Sequence, residues 1–294
     1  MPAEASALPI GAMPPRSNVK AALIVLCSFA VFSGTDALVK LLSGHFPVPQ
    51  VTFMVTVAAL VFVIGSAVVS GRGRALWPRH PGLAFVRAAL LAGDTLLIYY
   101  AFAALPLAEA YVLAFLSPVL VAVLAFAFLG ERMSRLGWIG VLLGFAGVIV
   151  ALQPGVTPMN FGHAAAIGSA LLFAFSLVLL RRTKATESDT ALVASLLVVL
   201  SVLSLAVALA GEGFKPVVST DIAIVAAAGL LLFGGHALLV RAFRLGDASV
   251  VAPFQYSQIV WGCLYGALLF GAPIEIHTLA GAVIIILSGW LVLK

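Results

Sequence analysis

The sequence predicts an all-α polytopic membrane protein: ten transmembrane helices built as two inverted five-helix repeats, with both termini in the cytoplasm. Three observations lead there. The composition is too apolar for water, the apolar runs have membrane-spanning length, and the chain matches itself at an offset of 141 residues.

Of the 294 residues, 63% are hydrophobic and only 9% are charged. Soluble domains run at about 45–50% apolar and about 25% charged. Too few polar groups remain to cover a surface facing water, so lipid is the solvent that suits this chain. The length fits one compact membrane domain. The net charge of +5 does not point to nucleic acid, because the basic residues form no stripe with interleaved aromatics. Cys27 and Cys263 both lie in apolar runs without metal-ligand spacing and read as small buried hydrophobes.

Residues 1–19 hold Pro2, Pro9, Pro14 and Pro15 among small residues and read as a disordered cytoplasmic tail. The apolar run from Lys20 is too long for a signal-peptide core and lacks a small-residue cleavage site, so it reads as the first membrane helix. A helix needs about 20 apolar residues to cross the hydrocarbon. With Gly, Pro and charge as punctuation, such runs lie near 20–42, 48–70, 82–104, 108–129, 136–153, 161–181, 191–210, 221–243, 248–270 and 277–293. The third contains Arg87 and Asp94, and the eighth runs into Arg241.

Orientation follows from Lys and Arg placement. With the N-terminus inside, fourteen of the sixteen fall in cytoplasmic segments, and only Lys40 and Lys215 fall outside. Trp77, Trp138 and Trp290 sit near span ends, as an aromatic belt requires, whereas Trp261 lies within the ninth span.

At the offset of 141, Phe32 falls on Phe173, Lys40 on Arg181, Ala101-Phe102 on Ala242-Phe243, Gly130 on Gly271 and Gly140 on Gly281. The spans coincide five on five, giving repeats at 20–153 and 161–294. Five is odd, so the second repeat inserts upside down relative to the first. Inverted repeats recur in secondary transporters, with substrate near the midplane between them. One pattern used in two opposite orientations yields two similar-energy shapes, each open to one side.

The run from Leu116 to Val150 resembles the end of an EamA-type repeat of the drug/metabolite transporter superfamily. The likeness lies in the Ser117-Pro118 step, the Phe-Leu-Gly-Glu ending at Glu131 and the glycine-spaced helix that follows. Residues 253–273 and 279–290 echo it in the second half. Among members, the chain looks most like exporters of amino acids and related metabolites, of the YddG type that handles aromatic amino acids. The resemblance implies transport without cofactor or nucleotide. The second half departs from the pattern: Ala272 stands where a glutamate is expected, with Glu275 three residues on. Glu131, beside Arg132 and Arg135, reads as a structural ion pair.

Ionisable groups inside a membrane are costly and mark candidate sites. Asp94 lies mid-span; its repeat-mate is Gly235, and His236 follows. A carboxylate and an imidazole at comparable depth suit the charged ends of a substrate or a proton. Alternatively, Asp94 pairs with Arg87 or caps a backbone break. Tyr99, Tyr100 and Tyr111 flank the loop between helices three and four. Ser117, Phe254, Gln255, Tyr256, Gln258 and Trp261 lie on helices four and nine, and Gln255 and Gln258 share a face. Phenols and amides can bind a zwitterion while rings supply apolar contact; the plainer alternative is interhelical packing.

Asp36 and Lys40 are spaced for a helical pair, with Glu109 on the same outer side. Arg181, Arg244 and Asp247 are their inner counterparts. These residues predict two gates: Lys40 with Asp36 or Glu109 outside, and Arg181 or Arg244 with Asp247 inside. The other reading is a set of solvated interfacial charges. Pro118 and Pro253 are candidate bending points or static kinks. Gly137, Gly140, Gly144 and Gly147 form a smooth stripe for close packing, within the chain or between chains, so monomer and dimer both stay open. Isolated ionisable groups without paired carboxylates or a nucleophile with its base argue against a membrane-embedded enzyme. A channel would need a regular filter. The expected partners are the lipid bilayer and a small-molecule substrate, a neutral or aromatic amino acid moved outward by alternating access.

Overall fold

The structure is a computed structural model describing residues 17–293 except 72, 106, 154–157, 183–186, 212, 272–273 and 275. The tail predicted over 1–19 lies almost wholly outside the described residues. The helices are α1 (Asn18–Ser43), α2 (Val48–Val69), α3 (Pro81–Ala104), α4 (Leu107–Ala114), α5 (Ser117–Leu124), α6 (Arg135–Leu152), α7 (Phe161–Arg182), α8 (Asp189–Ala210), α9 (Ser219–Leu245), α10 (Ala248–Val251), α11 (Ser257–Phe270) and α12 (Ile276–Val292). Among the described residues, eight helical segments are long and apolar enough to cross a membrane by length and composition. The ninth and tenth crossings are the interrupted segment Ala248–Phe270 and the 17-residue α12.

Prolines account for the two interrupted crossings. Pro118 has no N–H for the Ala114 carbonyl, and the chain breaks between α4 and α5. Leu116 N–H instead closes a tight turn on Leu113 O at 3.1 Å. Pro253 likewise deprives Ser249 O of a donor, and a 3-10 turn over Ala252–Tyr256 links α10 to α11. The fourth crossing ends in a wide turn, Ala125–Leu129, capped by Gly130 at φ 66°. Gly271 caps α11 at φ 62°. Both adopt the left-handed conformation that glycine enters without a Cβ penalty, at equivalent places in the two repeats. Side chains cap other ends: Ser134 Oγ accepts from Gly137 N–H at 3.0 Å, and Asp221 accepts from Val218 N–H at 3.2 Å.

Helix pairings come in couples related by the internal two-fold. The α1–α9 contact answers α3–α7, and α2–α9 answers α3–α8. The pairing of α1 with the ninth crossing answers that of α7 with the fourth. Helices α2 and α8 pair across the axis, as do α6 and α12. The two repeats are therefore interleaved rather than set side by side.

The glycine stripe of α6 packs within the chain. A Cβ on Gly140 would lie 2.7 Å from Val292 Cγ2, and one on Gly144 would lie 2.6 Å from Tyr256 Cδ2. One on Gly281 of α12 would lie 2.5 Å from Ala151 Cβ and 2.6 Å from Gly147 O. A Cβ on Gly137 would first meet the neighbouring Met133 and Ser134. The stripe's purpose is thus the α6–α12 seam.

Candidate central cavity and its closed end

At one end of the bundle, where α1, α3, α8 and α10 begin and α7 and α9 finish, charged groups from both repeats interlock. Arg181 is the hub. Its Nε lies 3.5 Å from Glu131 Oε1 and its Nη2 lies 3.7 Å from Asp247 Oδ1, while Nη1 donates to Arg244 O at 3.3 Å. Glu131 also accepts from the backbone N–H groups of Ala248 at 3.3 Å and Ser249 at 3.1 Å, and from Ser249 Oγ at 2.9 Å. A carboxylate at a helix start satisfies orphan donors and opposes the positive end of the helix dipole. Asn18 exchanges two hydrogen bonds with Asp247, at 2.9 and 3.3 Å, tying α1 into the layer. Arg244 Nη1 pairs with Asp189 Oδ1 at 2.7 Å. Glu187 accepts from Arg79 and His80 N–H, each at 2.9 Å, just ahead of α3.

Of the two alternatives for Asp247, the structure forms the pair with Arg181, while Arg244 turns to Asp189 of α8. Two other readings change. Glu131 pairs across the repeats with Arg181 rather than with the adjacent Arg132 or Arg135. At the opposite end, the helical Asp36–Lys40 pair is not formed. Asp36 accepts from Gln258 Nε2 at 3.0 Å, and Lys40 Nζ lies 4.9 Å above the Phe270 ring. In both places a partner on another helix, closer in space than in sequence, takes the charge. The side chains of Glu109 and Tyr99 lie outside what is described.

Asp36 is exposed although it sits on a helix packed between α9 and α11. Ser33 Oγ donates to Gln258 O at 3.2 Å, joining α1 to α11 beside it. Gly262 is also exposed, with open space where a Cβ would be. Gln258, Trp261, Gly262 and Tyr265 follow i, i+3, i+4, i+7 and line one face of α11. The Tyr265 hydroxyl lies 3.4 Å from where a Cβ on Gly34 of α1 would sit.

The remaining candidates divide. Asp94 meets neither Arg87 nor a backbone break: Ser169 Oγ of α7 donates to its Oδ1 at 2.6 Å. His236 stands edge-on to Phe32, centroids 4.9 Å apart. Ser117 Oγ donates to Gln255 Oε1 at 3.0 Å, linking the two broken crossings. Tyr111 stacks on Phe115, centroids 6.0 Å apart. Tyr100, 50% exposed, pairs with Phe161 of α7 at 5.3 Å, apart from the others. Tyr256 is fully buried against Gly144, and Phe254 packs toward Gly289 of α12. Both fill helix seams, which corrects their expected place in a cavity lining.

Residue spacing does not single out Ser169, Ser28, Asn18 or Asp189, and it offers Arg87 only as a partner for Asp94. For the serines a signal existed: Ser28 and Ser169 are related by the same offset of 141 as Asp94 and Gly235.

Two successive stretches of the chain, 19–153 and 160–294, match the EamA-like transporter family. The chain belongs to that family. It is 27% identical over 268 residues to the pseudopaline exporter of Pseudomonas aeruginosa, covering 90% of this chain and 93% of that one. It is 23% identical over 273 residues to a riboflavin transporter of Vibrio cholerae, with 92% and 91% covered. It is 26% identical over 265 residues to an S-adenosylmethionine uptake transporter of Rickettsia bellii, with 89% of each covered. A crystal structure superposes with a TM-score of 0.84 at 23% identity, covering 94% of this chain and 98% of its own, and shows the same fold. The chain is a multi-pass membrane transporter of small molecules; these matches do not reach the finer kinship with YddG-type exporters.

Proposed function

We propose that this transporter exports a small amphiphilic metabolite, a neutral or aromatic amino acid in the first instance, by alternating access between its two repeats. The observation that carries the reading is the asymmetry of the bundle. One end is sealed by the Arg181–Glu131–Asp247 layer, while Asp36 and Gly262 are exposed and Gln258 half-exposed toward the other. With the termini in the cytoplasm, as the Lys and Arg distribution argues, this is an outward-open state. The inner seal is the closed gate.

In this reading Asp36 and Asp94 take the substrate's amine, Gln258 and Gln255 its polar groups, and Trp261, Tyr111 and Phe32 its ring. His236, on the helix facing Phe32, completes the same cavity. Lys40 and Phe270 belong to the outer gate, with Glu109 as its acidic partner.

The test is movement of a panel of labelled amino acids across liposomes holding the purified protein, with and without a pH gradient. Saturable movement of phenylalanine, tyrosine or other neutral amino acids is expected. If none moves while other metabolites do, the substrate reading is wrong and the transporter assignment stands.

A further inference from the structure

The interior carries a surplus of hydrogen-bond donors. Among the described residues, the buried side-chain atoms without a hydrogen-bond partner include Nε and Nη2 of both Arg87 and Arg244, His236 Nδ1, Trp261 Nε1 and the hydroxyls of Tyr256 and Ser257. The acceptors in the same condition, Oδ1 of Asp189 and of Asp247, are already in ion pairs. Every other group left over can donate.

Arg87 is the extreme case. It is 1% exposed and, among the described residues, has no ion pair. Its neighbours on α3, Ala84, Ala88 and Leu91, are packed into apolar clusters. A guanidinium does not shed its proton in a protein, so the charge stays, and an unpaired buried charge is expensive. Arg244 and His236 lie within reach of its field, and neither neutralises it. Both arginines leave the same edge free: Nε–H and Nη2–H point side by side, the fork that grips the two oxygens of a carboxylate. Arg244 keeps only Nη1 on Asp189.

Building on the transporter reading, we propose that Arg87, assisted by Arg244, is the site that binds a carboxylate of the transported metabolite when the inner seal opens. The substrate class is thereby narrowed to carboxylates that enter from the Arg181 end. Sealing that end leaves the fork buried and empty-handed, so substrate release outward and closure of the seal go together.

The test is thermal stabilisation of the purified full-length protein by matched pairs: phenylalanine against phenylalaninamide, and benzoate against benzamide. Inorganic phosphate and phosphatidylglycerol are run beside them. Both carboxylates are expected to raise the unfolding midpoint and their amides to leave it unchanged. Arg87→Gln is expected to weaken the apparent affinity for the carboxylates about tenfold or more, as loss of a charge-assisted pair does. Arg87→Lys, which keeps the charge without the fork, guards against misfolding of the first variant and is expected to lose part of the effect. Stabilisation by amides equal to that by acids overturns the proposal. So does stabilisation by phospholipid alone, or full retention in both variants. Amino-acid flux in liposomes is a separate readout, so a failure here leaves the transporter reading intact.

Discussion

Ser169 of α7 donates to the Asp94 carboxylate of α3 at 2.6 Å. The equivalent serine of the first repeat, Ser28 of α1, donates to the Gly235 carbonyl of α9 at 2.8 Å. Serine and partner are each displaced by the same 141 positions. One contact therefore occurs twice, once with a backbone acceptor and once with a charge. The structural need for a bond at this place is met in the α1–α9 copy without a carboxylate. The charge on Asp94 is thus surplus to packing. We predict that Asp94→Asn, which can still accept from Ser169, folds with wild-type thermal stability. Its KM for a zwitterionic amino acid should rise about tenfold, the loss of one charge-assisted hydrogen bond. An unchanged KM, measured by liposome flux, would make Asp94 a structural group.

Glu131 holds Arg181 and the start of α10 together, so neutralising it leaves the buried Arg181 guanidinium with Asp247 as its one carboxylate and weakens the bonds to two backbone donors. Glu131→Gln should cost about 3 kcal/mol of stability, the scale of breaking a buried pair from one side. It should also favour the state open at that end. A cysteine placed at Val251, which is fully buried, should then react faster with a membrane-impermeant maleimide in inside-out vesicles. Equal reactivity in the two backgrounds would show that Glu131 does not hold the gate.

The α6–α12 seam yields a stability prediction independent of transport. Gly281→Ala places a methyl 2.5 Å from Ala151 Cβ and 2.6 Å from a backbone oxygen, neither of which can swing away. It should destabilise by about 1–3 kcal/mol, the usual cost of overpacking. Gly65→Ala, with nothing within 4 Å of the new methyl, should be neutral or slightly stabilising, since alanine is the better helix former. Thermal unfolding in detergent compares the two.

Orientation rests on the distribution of Lys and Arg and is open to a direct check. A green fluorescent protein fused after the last residue should fluoresce, and alkaline phosphatase at the same place should be inactive. The opposite pattern would turn the molecule over and make the Arg181 layer the outer gate.

Much of the architecture was legible because lipid imposes a simple rule: backbone groups must be satisfied within each crossing. Hence the ten runs, the bend at Pro118 and the α6 stripe show in the residues themselves, whereas Gly130 and Gly271 read there as repeat-mates and their capping role comes from the backbone. The site was harder to read. Asp36–Lys40 has ideal helical spacing, yet Gln258 and Phe270 reach those groups from α11. Tyr256 and Phe254 have the chemistry of a lining, but the 3-10 turn created by Pro253 rotates them into the α6 and α12 seams. Spacing offers Arg87 only as a cytoplasmic-side charge or as a partner for Asp94. Only the packing of α3 against α7 and α8 shows it buried. Which helix face turns inward depends on neighbours distant in sequence, and spacing alone does not carry that information.

Alternating access requires the Arg181 layer to open in every cycle, and this can be measured by locking it. In a protein freed of Cys27 and Cys263, Asn18→Cys and Asp247→Cys would replace a hydrogen-bonded pair that ties α1 to the seal. Amino-acid counterflow in liposomes is followed before oxidation, after it and after reduction. The account predicts that cross-linking stops counterflow and that reductant restores it. Counterflow continuing at the uncross-linked rate, with the bond formed, would contradict it.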